Sequence, residues 1–158
     1  MACRGGHSIP RIHSLTSDET VAVFTTPAEK SLFGKLNHKP NLQRRFLSRL
    51  HDALTHPAPQ TFVEKPFEGV QNLDRLRAGD VMRAYCVYAD EPPEYNVFYL
   101  FQITDHRYDR EPVQKYDRDA GEVLAELRGL ESVAEAKAYL DRRDAHDATD
   151  VRRILDHL

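Results

Sequence analysis

The chain has 158 residues, 41% hydrophobic and 30% charged, with a net charge of −3. These totals describe one soluble folded domain and exclude a fibrous or wholly disordered chain. The longest apolar run, Val97–Ile103, is too short to span a bilayer and suits a buried strand, so no membrane partner is expected. Two cysteines, Cys3 and Cys86, cannot build a disulfide framework, and "MACRGGHSIPRIHS" lacks a signal-peptide core; a reducing, cytoplasmic setting is expected.

Residues 1–18 mix Gly, Ser, Pro, His and Arg without a period and read as a flexible tail. "ETVAVFTT" reads as a first strand, and Pro27 then falls where a helix can begin. "PAEKSLFGKL" gives a short helix, and Pro40 opens a longer one in which Leu42, Phe46, Leu47, Leu50 and Leu54 recur at helical spacing. The pair forms an αα-hairpin that "HPAPQ" ends, because two prolines in quick succession cannot continue a helix. Strands follow near 71–77, 82–88 and 96–104, with turns at Ala78–Asp80 and Asp90–Glu94 short enough to require antiparallel pairing. The last of these is apolar on both faces and belongs inside the sheet. Helices are expected at Ala120–Leu130, Ser132–Asp144 and Asp147–Leu158, with capping boxes at Ser132/Glu135 and Asp147/Asp150. The fold class is α+β: β-α-α-β-β-β with an antiparallel sheet packed on an αα-hairpin, then C-terminal helices. The chain divides as a tail (1–18), an α+β domain (19–118) and a helical extension (119–158).

Charge is unevenly spread. Residues 30–51 carry Lys30, Lys35, Lys39, Arg44, Arg45 and Arg49 with no acidic residue, a local charge of +6, while residues 119–158 come to −4. A basic helix on an acidic body permits a nucleic-acid partner, and Lys35, Lys39, Arg44, Arg45 and Arg49 are the residues that would meet its backbone. A second basic group lies in "NLDRLRAGDVMRAYCVY", where period-2 alternation puts Arg75 and Arg77 on one strand face and the hairpin brings Arg83 alongside. His106 and Arg107 in "ITDHRYDRE" end the next strand and converge on the same region. Arginines so close together repel unless an anion separates them, a carboxylate of the chain or a phosphate. Asp74, Asp80, Asp105 and Asp109 stand near enough to absorb them all as ordinary ion pairs.

The element order, with "LRAGDVMRAYCVY" in the central hairpin and "ITDHRYDRE" after the last strand, resembles the RelE/ParE superfamily of toxin–antitoxin toxins over about residues 19–118. In that family the hairpin commonly reads Leu-Arg-x-Gly-x-x-Arg-x-x-Tyr, and a His/Lys-Arg pair followed by a tyrosine closes the last strand. RelE-like members are mRNA endoribonucleases; ParE-like members bind DNA gyrase without nuclease chemistry. The resemblance implies an mRNA endoribonuclease, cytoplasmic, with an antitoxin protein, mRNA and the ribosome as partners. It assigns Arg75 and Arg77 to the first hairpin strand, Arg83 to the scissile phosphate and Arg107 to the transition state. His106 and Tyr116 are then the acid–base candidates. Two departures stand out: the Arg77-to-Arg83 interval is one residue longer than the common pattern, and Tyr116 lies nine residues past Arg107.

The chemistry implied is attack of a 2′-OH on its own phosphate, leaving 2′,3′-cyclic phosphate and 5′-OH ends. Because the nucleophile belongs to the substrate, no metal or other cofactor is expected. Cys3, His7 and His13 have ligand chemistry but loose spacing in a Gly-rich tail. Tyr85, Tyr88, Phe98, Tyr99 and Phe101 are a base-stacking platform or core, and strand aromatics favour core. His56 reads as a helix terminator, and His146 and His157 as solvated positions. The alternative function is a non-catalytic binding module on the same scaffold, a gyrase inhibitor or a protein-interaction domain. The C-terminal helices are read as a cap on the sheet, with a dimerisation (homo-oligomer) surface or an acidic autoinhibitory partner as the other options.

Overall fold

The computed structural model describes residues 19–66, 69–105 and 113–158. The β-branched run forms β1 (Glu19–Phe24). Thr25 caps the next element, α1 (Thr26–Glu29), by accepting the Ala28 N–H at 3.3 Å, and Pro27 sits in the first turn where its missing N–H costs nothing. α1 widens into a π-helical turn, Lys30–Lys35, before Pro40 starts α2 (Pro40–Thr55). Gln43 donates to the Leu32 carbonyl at 2.8 Å and sets the angle between the two helices. His56 ends α2 as expected: it leaves helical geometry, its Nδ1 accepts the Ala58 N–H at 2.8 Å, and Pro57 follows. A 3-10 turn (Pro59–Phe62) leads to β2 (Val63–Glu64), β3 (Asp74–Ala78), β4 (Met82–Ala89) and β5 (Tyr95–Thr104). Three helices close the chain: α3 (Val113–Arg128), α4 (Val133–Arg142) and α5 (Ala148–Asp156).

The fold is α+β, built on one five-stranded sheet in the order β1-β5-β4-β3-β2. β2 to β5 pair antiparallel. The expectation of a wholly antiparallel sheet needs correcting at β1, which runs parallel to β5 with Glu19 opposite Tyr95 and Phe24 opposite Leu100. Short turns fix the directions of β3, β4 and β5. β1 meets its neighbour only after a helical segment and three strands have intervened, so no turn constrains it.

Both faces of the sheet are covered. On one, Leu76, Met82, Phe98, Leu100 and Ile103 pack against Leu32, Phe46, Leu47 and Leu50, with Val151 of α5 completing the layer. On the other, Tyr85, Val87, Val97 and Phe101 pack against Tyr116, Leu124 and Leu127 of α3 and Tyr139 and Leu140 of α4. Each fully buried large side chain contributes about 1.5–3 kcal/mol, so the C-terminal helices cap the sheet and supply part of the core on both sides. α3 begins at Val113, earlier than the expected Ala120. The division drawn at 118/119 therefore falls inside one helix, and Tyr116 lies in its first turn.

A β-bulge interrupts the β4–β5 ladder: Tyr85 pairs with Gln102 and Cys86 with Leu100, leaving Phe101 as the extra residue. The insertion turns Ile103 to the same face as Leu100 and sets Thr104 opposite Arg83. The outer edge of β1 is closed by His146, whose backbone N–H and C=O exchange 2.8 Å hydrogen bonds with Ala22. His146 is buried, against the solvated position expected for it; its ring packs edge-on to Phe24, 5.9 Å between centroids. His157 is exposed. Asp147 and Asp150 form the reciprocal capping box, and Ser132 accepts the Glu135 N–H at 3.1 Å.

One contact ties α3 to the sheet. The Asp117 carboxylate accepts the backbone N–H groups of Gln71, Asn72 and Leu73 at 3.2, 2.8 and 2.8 Å. Burial works to raise its pKa, but the three N–H donors and Lys65 outweigh it and hold the carboxyl below its usual value. Gly121, one helical turn on, lies so close to Asn72 that an added Cβ would sit 2.9 Å from its side-chain nitrogen. Because the folded-state pKa is depressed, this contribution is complete above the unfolded pKa and is lost as pH falls through the folded one. Asp117→Ala should cost about 2 kcal/mol at neutral pH, lowering Tm by about 4–8 °C. Its acid unfolding should also be shallower than wild type, measured by circular dichroism against pH and temperature.

Candidate functional site

The β3–β4 hairpin holds its register without interruption: Asp74 faces Cys86, Arg75 faces Tyr85, Arg77 faces Arg83 and Ala78 faces Met82. A three-residue turn, Gly79 to Val81, absorbs the long Arg77-to-Arg83 interval, with Gly79 at φ 79° where a side chain would be strained. Leu76, Ala78, Met82 and Ala84 turn to the α2 layer. Arg75, Arg77 and Arg83 therefore share the opposite face with Tyr85, as the alternation required. Two guanidinium side chains directly opposite each other repel unless a counter-charge intervenes.

The three arginines differ in their surroundings. Arg83 is only 8% exposed, and its Nε has no hydrogen-bond partner among the described residues. Its Nη2 lies 3.5 Å from the Asp80 carbonyl, a marginal contact. Arg75 is neutralised by Glu64, whose Oε2 accepts from Nη2 at 2.6 Å and from Nε at 3.0 Å. The same oxygen lies 3.6 Å from Arg77 Nη1. The hydrogen bond from Arg75 holds the Glu64 carboxyl below its usual pKa; burial opposes this, and the charges of Arg75 and Arg77 reinforce it.

Asp74, Asp80 and Asp105 form no ion pair with Arg75, Arg77 or Arg83. Asp74 takes Lys65 at 3.3 Å and the Tyr88 N–H at 3.0 Å, and Asp105 takes Lys39 at 2.7 Å. Asp80 offers Arg83 only its backbone carbonyl. Asp109, His106 and Arg107 lie outside the described residues.

Tyr116 reaches this face from α3. Its ring stacks on Tyr85 at 6.0 Å and on Phe101 at 6.5 Å and is buried. Tyr85, Phe98 and Phe101 are core residues, which decides against an open stacking platform at those three positions. Cys86 is also buried, and burial pushes its thiol well above the ordinary range, so it is no nucleophile.

The basic α2 residues meet the hairpin from the other side. Arg49 Nε donates to the Arg77 carbonyl at 3.2 Å, and its guanidinium lies 4.4 Å from the centre of the Phe62 ring. Arg45 crosses the bare backbone of Gly79, where a Cβ would come within 3.3 Å of it. Arg44 donates to the Leu158 carbonyl at 3.0 Å. These three line an open groove of about 520 Å³ with Asn41, Ser48, Asp52, Ala78 and Gly79. Lys35 and Lys39 lie apart from it, in a pocket of about 260 Å³ shared with His38, Thr104 and Asp105. The structure thus brings Arg75, Arg77 and Arg83 to one face, and Arg44, Arg45 and Arg49 to a groove beside the same turn.

Sequence reasoning missed Glu64 and Asp117. Glu64 comes from a two-residue strand between prolines, too short to show alternation. Asp117 precedes the expected helix and carries no motif. Among the described residues no cluster of three His, Cys, Asp or Glu side chains is arranged to hold a metal, and no helix is long and apolar enough to cross a membrane. Family models, curated protein sequences and solved structures give no significant match to the chain.

A buried guanidinium whose Nε has no partner among the described residues, set beside a second arginine, is suited to a tetrahedral oxyanion, whose several oxygens can take both side chains. Inorganic phosphate at ten times its Kd should raise Tm by about 3–6 °C, and Arg83→Met should abolish the shift in a thermal melt. An equal shift in both proteins would remove this site.

Proposed function

We propose that the chain is a toxin of RelE/ParE type that cleaves mRNA, and that Arg83 carries the phosphate contact. The supporting observation is that buried guanidinium, set opposite Arg77 with no carboxylate of its own among the described residues. The finer β-α-α-β-β-β architecture of that family, the cytoplasmic setting and the antitoxin, mRNA and ribosome as partners belong to the same proposal.

In this reading a phosphodiester lies across Arg77 and Arg83, its non-bridging oxygens accepting from both. The substrate 2′-oxygen attacks phosphorus and gives its proton to a base. The P–O5′ bond breaks, and an acid protonates the departing 5′-oxygen. The products are a 2′,3′-cyclic phosphate and a 5′-OH, with no water consumed and no redox change. Charge grows on the non-bridging oxygens, and preorganised donors there are worth about 10²–10³ in rate. His106 and Tyr116 remain the acid–base candidates, with Arg107 as the late arginine. Lys35, Lys39, Arg44, Arg45 and Arg49 would follow the RNA backbone and set position without reading sequence.

The non-catalytic alternative, a ParE-like gyrase inhibitor or interaction module, is favoured by one observation. Tyr116 is buried in a three-ring stack instead of standing open to substrate.

Mapping RNA ends in cells expressing wild type or the Arg83→Ala/Arg107→Ala double variant separates the two readings. The nuclease predicts new 5′-OH ends that fall by about 10²-fold or more in the variant. Growth arrest with intact mRNA and altered DNA topology would replace it with the gyrase reading.

A further inference from the structure

The Glu64 carboxylate reaches Arg75 and Arg77 from β2, on the side of β3 away from Arg83, and so draws on one of the two guanidinium groups a phosphate would use. Its position comes from β2, which pairs with β3 only through Val63 with Leu76 and Glu64 with Arg75. One oxygen serves two arginines unequally. Arg75 holds it closely through both Nε and Nη2, and the Arg75 side chain is mostly covered. Arg77 stands off at 3.6 Å with half its side chain in solvent. An ion pair this open contributes little, on the order of 1 kcal/mol or less, and is readily exchanged for another anion. Arg83, across the ladder from Arg77, receives nothing from Glu64.

We propose that Glu64 is a built-in competitor for the phosphate seat: in the free protein its carboxylate partly neutralises Arg77, and an incoming phosphodiester takes Arg77 over to bridge it to Arg83. The inference rests on the phosphate-binding reading given above. It sorts the arginines by role. Arg75 is a positioning residue that keeps Glu64 docked, while Arg77 and Arg83 are the phosphate ligands. It also defines the ligand class, because exchange repays its cost only for an anion with two or more acceptor oxygens able to span both guanidinium groups. A phosphodiester or inorganic phosphate meets that requirement; a halide does not. Glu64 therefore sets a threshold that weak anions fail to pass.

The test uses the full chain and a short labelled 2′-O-methyl oligouridylate, which lacks the attacking hydroxyl and so reports binding alone. Affinity is measured by fluorescence anisotropy over a range of salt concentrations. Glu64→Gln keeps an acceptor for Arg75 but removes the charge. It should bind about fivefold more tightly at low salt, the equivalent of the ~1 kcal/mol upper bound for an exposed pair. Its log–log salt slope should steepen by about 0.7, as expected for one more counterion-releasing contact to a single strand. Glu64→Asp, which retains the charge on a shorter arm, should fall between the two. In Glu64→Gln/Arg77→Met the gain should disappear. Wild-type affinity and slope in both Glu64 variants, or persistence of the gain without Arg77, would overturn the inference. Wild-type binding by Arg83→Met would instead overturn the phosphate site itself, so the two failures are distinguishable.

Discussion

The arrangement of the second sheet face depends on a single carboxylate. Asp117 sits where the chain must turn from an irregular segment into β3, and it accepts three consecutive backbone N–H groups there. Those donors precede the ladder and would otherwise turn to solvent or stay unsatisfied. By gathering them, Asp117 fixes where β3 starts, and hence which β3 residues lie on each face. It also pins the first turns of α3 against the same strand, bringing the Tyr116 ring over Tyr85. One side chain thus couples strand register to helix placement, and the arginine face inherits its geometry from that coupling.

The remaining architecture follows from the central strands. β4 is buried along nearly its whole length, and β5 presents Phe98, Leu100 and Ile103 to one side and Val97 and Phe101 to the other. A strand pair that is apolar on both faces requires two covering layers. The helical segment before β2 can provide only one of them. α3 and α4 provide the second, and α5 returns to the first beside α2. Apart from the buried cap residues Asp147 and Asp150, the acidic residues of the last forty or so lie outside the core that these helices build.

How much of this was legible follows from the range of each interaction. The β3–β4–β5 meander could be read because its turns are short and its alternation is regular, and the shared face of Arg75, Arg77 and Arg83 came with it. The α2 stripe, the His56 stop and the Ser132 and Asp147 caps were readable because each signal lies within a few residues. The parallel pairing of β1 was not, since no local feature sets the direction of a strand joined through distant elements. His146 reads as polar among acids, but its backbone closes an edge strand and drags its ring into the core. The start of α3 was missed although Val113, Tyr116 and Ala120 stand at helical spacing, because the residues between them are all polar or charged. Glu64 illustrates the same limit at the candidate site. Neutralising Arg75 requires a carboxylate from a strand two residues long, and only tertiary pairing reveals it.

The contact between Arg49 and the Arg77 carbonyl has a mechanical consequence. It joins the basic helix to the very strand that carries the hairpin arginines, and Arg45 lying over Gly79 adds a second point of attachment. Cations on two sides of the sheet are thereby tied to the same hairpin. The separation of the two backbones that carry them is set by the packing of α2 on the sheet. On the phosphate-binding proposal, such a pair of charge clusters would act as a ruler, favouring polyanions whose charges repeat at a matching interval.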